Sequence, residues 1–426
     1  MRKAWVVTVD MGYGHQRAAY PLKDIAYERI ITANSDKIIT PKEKKMWIRS
    51  QRSYEWVSRM RDFPLIGKFL FNMFDKFQSI RPYYTSHDLS RPNIATFVTE
   101  GWIKKGMCSS VIEYVKKADI PFIATFPTPA LAAYYYGLKK IYCVVTDTDI
   151  NRAWVAKDPK KSTINYLAPD DHTVKRLQQY GVPSNRIFMT GFPLPKENLG
   201  SKKLEVLKKD LRERLLNLDP NKVYIKKYHH FIKKHIGAIK NKSSHPLTIT
   251  FCVGGAGAQK EIGVAMLESF KKKLLNNQIR INLIVGTRLE IVQYFKIRIT
   301  ELGLDSRLNK NINIIFALYK KSYFEKFNEC LHTTDILWTK PSELSFYIAL
   351  GIPIIIAPPL GAHEVFNKKW IEHRGAGFEQ EDPHYTDQWI TDWLEKGRLA
   401  EAAMDGFLKA PKLGTYNIEK VVFGKG

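Results

Sequence analysis

Long apolar runs are missing from this sequence: no stretch approaches the roughly 18 consecutive apolar residues of a spanning helix. Any membrane contact is therefore expected to be peripheral. The first apolar run reaches only Val9 before Asp10 interrupts it, too short for a signal peptide. Cysteine is scarce. The four present (Cys108, Cys143, Cys252, Cys330) lie far apart and form no C-x-x-C or Cys/His spacing, which argues against a disulfide framework or a zinc site. Cys143 and Cys252 fall within apolar runs and read as reduced core residues of a cytosolic protein. No D-x-D or His-cluster metal pattern is read, so neither an essential metal nor another cofactor is expected. RRM, KH, helix-turn-helix and zinc-finger signatures are also missing, which weighs against specific nucleic-acid binding. No short-period repeat occurs.

Acidic residues are the other shortage. Against 67 Lys and Arg stand 42 Asp and Glu, leaving a net charge of +25. Such a surplus points to a polyanionic surface, nucleic acid or anionic lipid, or else to a lysine-rich solvated exterior. The rest of the composition, 44% hydrophobic and 26% charged, is that of a globular protein, and 426 residues suggest two or three domains.

What is present is an alternation of short apolar runs with helical patterns, the mark of parallel sheets with crossover helices. Strands are predicted at AWVVTV (4–9), FIAT (122–125), IYCVVT (141–146), RIFMT (186–190), LTITFCV (247–253), INLIVG (281–286), INIIF (312–316) and IPIIIA (352–357). They fall into two α/β halves, 1–195 and 247–400. Between them, 196–246 lacks strand signals. Residues 201–245 hold thirteen Lys and Arg against four acids, a surplus of nine, and read as a basic linker or helical insertion. The tail, 401–426, has weak helical character and is expected to pack back on the first half. Residues 42–77 interleave Trp47, Trp56, Phe63, Phe69, Phe71 and Phe74 with Lys and Arg. That pattern suits a helix in a lipid headgroup layer, or equally a core helix with a basic outer face.

Three stretches carry chemistry. MGYGHQRAA (11–19) follows the first strand and places His15 on a glycine turn at a helix start; Gly12 and Gly14 allow the sharp turn. The imidazole suits a general base near neutral pH, or a hydrogen-bonded structural role. VGGAGAQKE (253–261) follows a strong strand and precedes a helix, where glycines let backbone amides approach an anion. It is neither G-x-G-x-x-G nor G-x-x-x-x-G-K-[ST], and a tight strand-to-helix turn would look the same. The third, LWTKPSELSFYIALGIPIIIAPPLGAHEVFNKKWIEHRGAGFE (337–379), combines a Pro-Ser-Glu helix start, a G-x-P turn into a strand, and a proline-glycine loop with His363, Glu364 and Asn367. Polar side chains clustered at a strand's carboxyl end suit a sugar's hydroxyls.

These features, with VVTDTDINRAWV (144–155), LAPDDHTVKRLQQYGVPSNRI (167–187) and TGFPL (190–194), come in the order found in one enzyme group. The chain resembles the nucleotide-sugar glycosyltransferases of the GT-B fold, family 28-like, and within them the monogalactosyldiacylglycerol synthase and processive diacylglycerol glucosyltransferase group. The resemblance implies two Rossmann-like domains facing a central cleft, and inverting transfer of a hexosyl group from a UDP-sugar to a diacylglycerol-like or other membrane-associated acceptor. It implies a cytoplasmic enzyme held peripherally at the anionic inner face of the membrane. A UDP-sugar 2-epimerase on the same fold, or a non-catalytic nucleotide-sugar-binding relative, is the alternative.

By position, the resemblance places Gly254, Gly255, Gly257, Ala258 and Gln259 around the diphosphate, and His363, Glu364 and Asn367 at the donor sugar. Ser342 and Glu343 fall at the nucleotide. The group's ribose-binding glutamate is replaced by Phe346, with Glu343 the nearest acid, which is also a favourable first-turn helix residue. His15 takes the base position, with Asp147 orienting it or serving as base, and Asp10 third. Gly12, Gly14 and Trp154 border the acceptor.

Overall fold

The computed structural model describes residues 2–59, 88–254 and 257–424, with side chains left out at 51–59 and 362–363. The chain divides into two units, Met1–Pro193 with Leu413–Gly426, and Leu194–Lys412.

The first unit holds a six-stranded parallel sheet: β1 (Ala4–Thr8), β2 (Ala26–Thr32), β3 (Phe122–Ala124), β4 (Ile141–Val144), β5 (Ile164–Ala168) and β6 (Ile187–Met189), ordered β2-β1-β3-β4-β5-β6. β1 is buried at every position, which is why AWVVT reads as a continuous apolar run rather than an alternation. Trp5, Val7, Phe122 and Tyr166 pack one face of the sheet, and Val6, Leu22, Ile123 and Leu167 the other.

The second unit holds another six-stranded parallel sheet, β7 (Leu247–Cys252), β8 (Ile279–Gly286), β9 (Ile312–Phe316), β10 (Ile336–Thr339), β11 (Ile354–Ile356) and β12 (Gly377–Glu379), in the order β12-β11-β10-β7-β8-β9. Renumbered from the unit's own start, that is the doubly wound order 3-2-1-4-5-6 read from its other edge. In each sheet successive strands run off in opposite directions, leaving a switch point: between β1 and β3 in one, between β7 and β10 in the other. Ligands of such sheets bind beyond the strand carboxyl ends at that point.

Four of these strands, β2, β5, β10 and β12, are not among those predicted. β2 (AYERIIT) is an edge strand whose middle is polar, and β12 is a three-residue edge, so neither shows an apolar run.

The stretch 196–246 belongs to the second unit and forms helices Lys196–Leu199, Glu205–Leu218, Val223–Lys227 and His229–Ile236. In Glu205–Leu218, Leu207, Leu211, Leu215 and Leu218 are buried. From the same helix the buried Arg214 donates to the carbonyls of Thr334, Leu350 and Leu331 at 2.7, 2.9 and 3.2 Å, with Gly351 O at 3.4 Å. The lysines form the outer face of a helix whose inner face is core. The tail also divides: helix Arg398–Lys409 lies in the second unit, and Gly414–Phe423 returns to the first, where Ile418 and Val422 complete one sheet face. A Cβ on Gly414 would meet Phe192 O at 1.9 Å, so only glycine allows this return.

Of 42–77, helix Pro41–Arg59 is described and residues 60–77 lie outside the described ones, as does the side chain of Trp56. Trp47 and Met46 are buried in the first unit's core cluster, so Trp47 is a packing residue rather than a lipid contact.

At the start of β10, the buried Asp335 accepts from the Thr248 amide at 2.8 Å and the Asn217 amide nitrogen at 2.9 Å. Burial pushes its carboxyl up to about 8, against the pull of Arg214 and these donors. With the folded pKa raised above 3.8, the folded chain binds more protons between about pH 4 and 8. Stability from this group is therefore full below that window and is lost as pH rises through it. Asp335→Asn is expected to flatten the decline in unfolding free energy between pH 5 and 8, measured by urea titration. An unchanged slope would refute the assignment.

Candidate active site

In the second unit, the loop after β7 and the turn after β10 meet at the switch point. Gly255 lies outside the described residues. The amides of Gly254 and Gly257 donate within the loop, to Ala258 O at 3.1 Å and Gly254 O at 2.8 Å. They close the turn rather than point at an anion. Gly257 has φ +77° and a Cβ there would meet Ile291 Cδ1 at 2.8 Å, so glycine is required twice over. Gln259, at φ +64°, caps helix Lys260–Ser269, and its side-chain nitrogen donates to Pro358 O at 2.8 Å, tying the glycine loop to the proline loop after β11.

Lys340, which the sequence reading passed over, is the first residue after β10. Its Cδ would lie 3.7 Å from a Cβ built on Gly254, so its stem runs along the glycine loop. Its ammonium pairs with Glu364 Oε1, and the Leu360 amide donates to Glu364 Oε2 at 2.7 Å. Glu364 is buried, three residues after the Gly361 cap of helix Ala362–His373. Asn367 is fully buried and donates to Pro341 O at 3.3 Å, which fixes the turn carrying Lys340. His363 falls in the first turn of that helix, its side chain outside those described. Ser342 caps the Glu343–Leu350 segment, which is a 3-10 rather than an α-helix. Glu343 is half-buried there, whereas Phe346 is buried against Trp370, ring centroids 5.1 Å apart. Position 346 is thus a packing position in this chain.

In the first unit, His15 sits in the first turn of helix Gly14–Ala19, beyond the carboxyl end of β1. Gly12 has φ +83°, so the glycine freedom of the turn lies there, while Gly14 opens the helix. Nδ1 of His15 is 2.9 Å from Thr125 O, just past β3. A carbonyl only accepts, so Nδ1 carries a proton, and in the neutral ring Nε2 is the basic nitrogen. The Thr146 hydroxyl lies 3.1 Å from the same Nδ1, and the Thr125 hydroxyl donates to His15 O at 2.8 Å. Phe126 and Trp154 flank the ring, with centroids 4.7 and 6.5 Å from it. Trp154 is largely buried and walls the imidazole.

The Thr125 carbonyl and the Thr146 hydroxyl therefore both meet Nδ1 of His15. Asp147, half-buried, is reached through Thr146, whose hydroxyl donates to Asp147 Oδ2 at 3.5 Å. Asn34 clamps the backbone of Asp10 from both sides, at 2.7 and 2.9 Å. Asp147-Thr148-Asp149 spells D-x-D, which corrects the sequence expectation that no such pattern occurs. Yet Asp149 is enclosed by Arg176 (2.8 and 2.9 Å) and His172 (2.7 Å), which hold its carboxyl below the usual range against burial. Thr125 and Lys340 each follow a strand directly, and that position was the one available signal for them.

Residues 234–423 match a family model described as a domain of unknown function (DUF6938). Over 391 residues the chain is 24% identical to a processive diacylglycerol beta-glucosyltransferase of Bacillus mycoides (strain KBAB4), covering 88% of this chain and 81% of the relative. Among solved structures, S. aureus MnaA with UDP aligns over 99% of this chain and 95% of its own, at 12% identity and a TM-score of 0.50. A putative UDP-N-acetylglucosamine 2-epimerase from Listeria monocytogenes aligns over 100% and 98%, at 12% identity and a TM-score of 0.48. The two parallel sheets and the MnaA alignment give the chain a GT-B fold, and by sequence it is similar to the processive diacylglycerol beta-glucosyltransferases.

Proposed function

We propose that this chain is an inverting glycosyltransferase that moves a hexosyl group from a UDP-sugar to the hydroxyl of a diacylglycerol-like lipid at an anionic membrane surface. The observation that carries the reading is the imidazole of His15, oriented through its Nδ1 by the Thr125 carbonyl so that Nε2 is the nitrogen that takes the acceptor's proton. In this reaction the acceptor oxygen attacks the anomeric carbon as Nε2 takes its proton, and the bond to the diphosphate breaks. The second unit, with a doubly wound sheet and a glycine loop at its switch point, holds the donor. The relatives named as diacylglycerol glucosyltransferases support the lipid acceptor, and the UDP-bound structural neighbour supports UDP as the nucleotide.

No helix among the described residues is long and apolar enough to cross a membrane. Peripheral contact is supported by helix Ile94–Lys104, which packs beside the Arg152–Trp154 turn and exposes Ile94, Phe97 and Val98. Lys157 lies 5.1 Å from the Phe97 ring, giving the mixed apolar and cationic face that an anionic bilayer attracts. With Asp149 neutralised by Arg176, the reading is of a metal-independent transfer.

The test incubates the protein with UDP-glucose, UDP-galactose and UDP-N-acetylglucosamine, with and without vesicles of diacylglycerol and anionic phospholipid, in EDTA. Glycosyl-diacylglycerol and UDP, formed only with vesicles, are the expected products. A nucleotide sugar converted to its epimer without acceptor would establish the epimerase instead, and no turnover of any donor would leave a binding protein.

A further inference from the structure

Two of the glycine loop's described amides close the loop on itself, so a cation beside the loop would add charge compensation for a diphosphate that these two amides do not give. Lys340 is that cation by position: its stem lies along Gly254 and its ammonium ends on Glu364. The surroundings are fixed on three sides. Asn367 holds the Pro341 carbonyl, Gln259 holds the Pro358 carbonyl, and the Leu360 amide holds one oxygen of Glu364. Glu364 is 2% exposed, while Lys340 is 23% exposed on a flexible four-carbon stem. Within this frame the lysine is the part able to move.

We propose that Lys340 and Glu364 form a displaceable pair through which the donor's diphosphate and sugar are recognised together. A diphosphate carries more charge than one carboxylate and draws the ammonium away. Glu364 Oε1 is then left buried without its cation, and hydroxyls of the donor sugar supply the lost hydrogen bonds. Oε2 stays on the Leu360 amide, so the carboxylate keeps its orientation. UDP alone breaks the pair without replacing it, whereas a UDP-sugar replaces it. The site therefore favours the intact donor over the spent nucleotide. This inference rests on the proposed donor reading and assigns Lys340 and Glu364 as binding residues for it.

Calorimetric titration with UMP, UDP and UDP-glucose on four proteins tests it: the wild type, Glu364→Gln, Lys340→Met and the double variant. Glu364→Gln releases the ammonium, so UDP is expected to bind about threefold or more tighter, while the preference for UDP-glucose over UDP shrinks. Lys340→Met is expected to weaken UDP by about tenfold or more, on the scale of a charge-assisted hydrogen bond, and UMP by less. In the Lys340→Met background, Glu364→Gln should no longer tighten UDP, because no ammonium remains to be released. Should Lys340→Met misfold from its unpaired buried carboxylate, Glu364→Gln and the double variant still decide the matter. UDP binding that is unchanged or weakened by Glu364→Gln overturns the exchange while leaving the donor reading intact. Failure of UDP to bind the wild type overturns both.

Discussion

His15→Ala is expected to lower turnover of the UDP-sugar by about 10²–10⁴-fold, the range contributed by a positioned general base. UDP affinity should stay within about twofold of the wild type, since no donor group proposed here lies in the first unit. His15→Gln sharpens the test: its amide nitrogen can still donate to the Thr125 carbonyl, restoring the structural bond without a basic nitrogen. A structural role predicts rescue by glutamine, and a base predicts none. Measured kcat and UDP affinity for both variants separate the two, and near-normal turnover in either would reduce His15 to scaffold.

Arg214→Met is expected to destabilise the second unit by about 3–5 kcal/mol, the usual consequence of breaking a buried charged network from one side. The guanidinium reaches carbonyls of Leu331, Thr334 and Leu350 that would be left without this donor. For a unit of this size that corresponds to a fall of about 6–20 °C in melting temperature. Arg214→Lys should recover little, because one ammonium cannot reproduce the planar fork. Lys209→Met, on the exposed face of the same helix, should change stability by less than about 0.5 kcal/mol. Hydrogen exchange would show the loss concentrated in Leu194–Lys412. Equal effects at 209 and 214 would mean that the helix is a surface attachment after all.

Much of the fold could be read directly. Strands buried on both faces write themselves as apolar runs, which is why β1, β7 and β8 stand out in the sequence. β10 did not, although it lies at the centre of its sheet: four residues between Asp335 and Lys340 are too few for a periodic signal. His15 and the 253–259 loop were legible because glycine and histidine at a strand end are unusual enough to need a reason. The partners of these groups were not, since Thr125 lies 110 positions from His15 and Glu364 lies 24 from Lys340.

By itself, then, the sequence determined two parallel α/β sheets, a histidine on a glycine turn, and a surface rich in cations. Only the tertiary structure decided which cations are surface. Arg214 and Lys340 read the same as the lysines around them, but one is caged by carbonyls inside the second unit and the other is held against a buried carboxylate. The physical reason is that charge and apolarity are properties of a residue, whereas burial and pairing belong to the neighbours that folding brings to it.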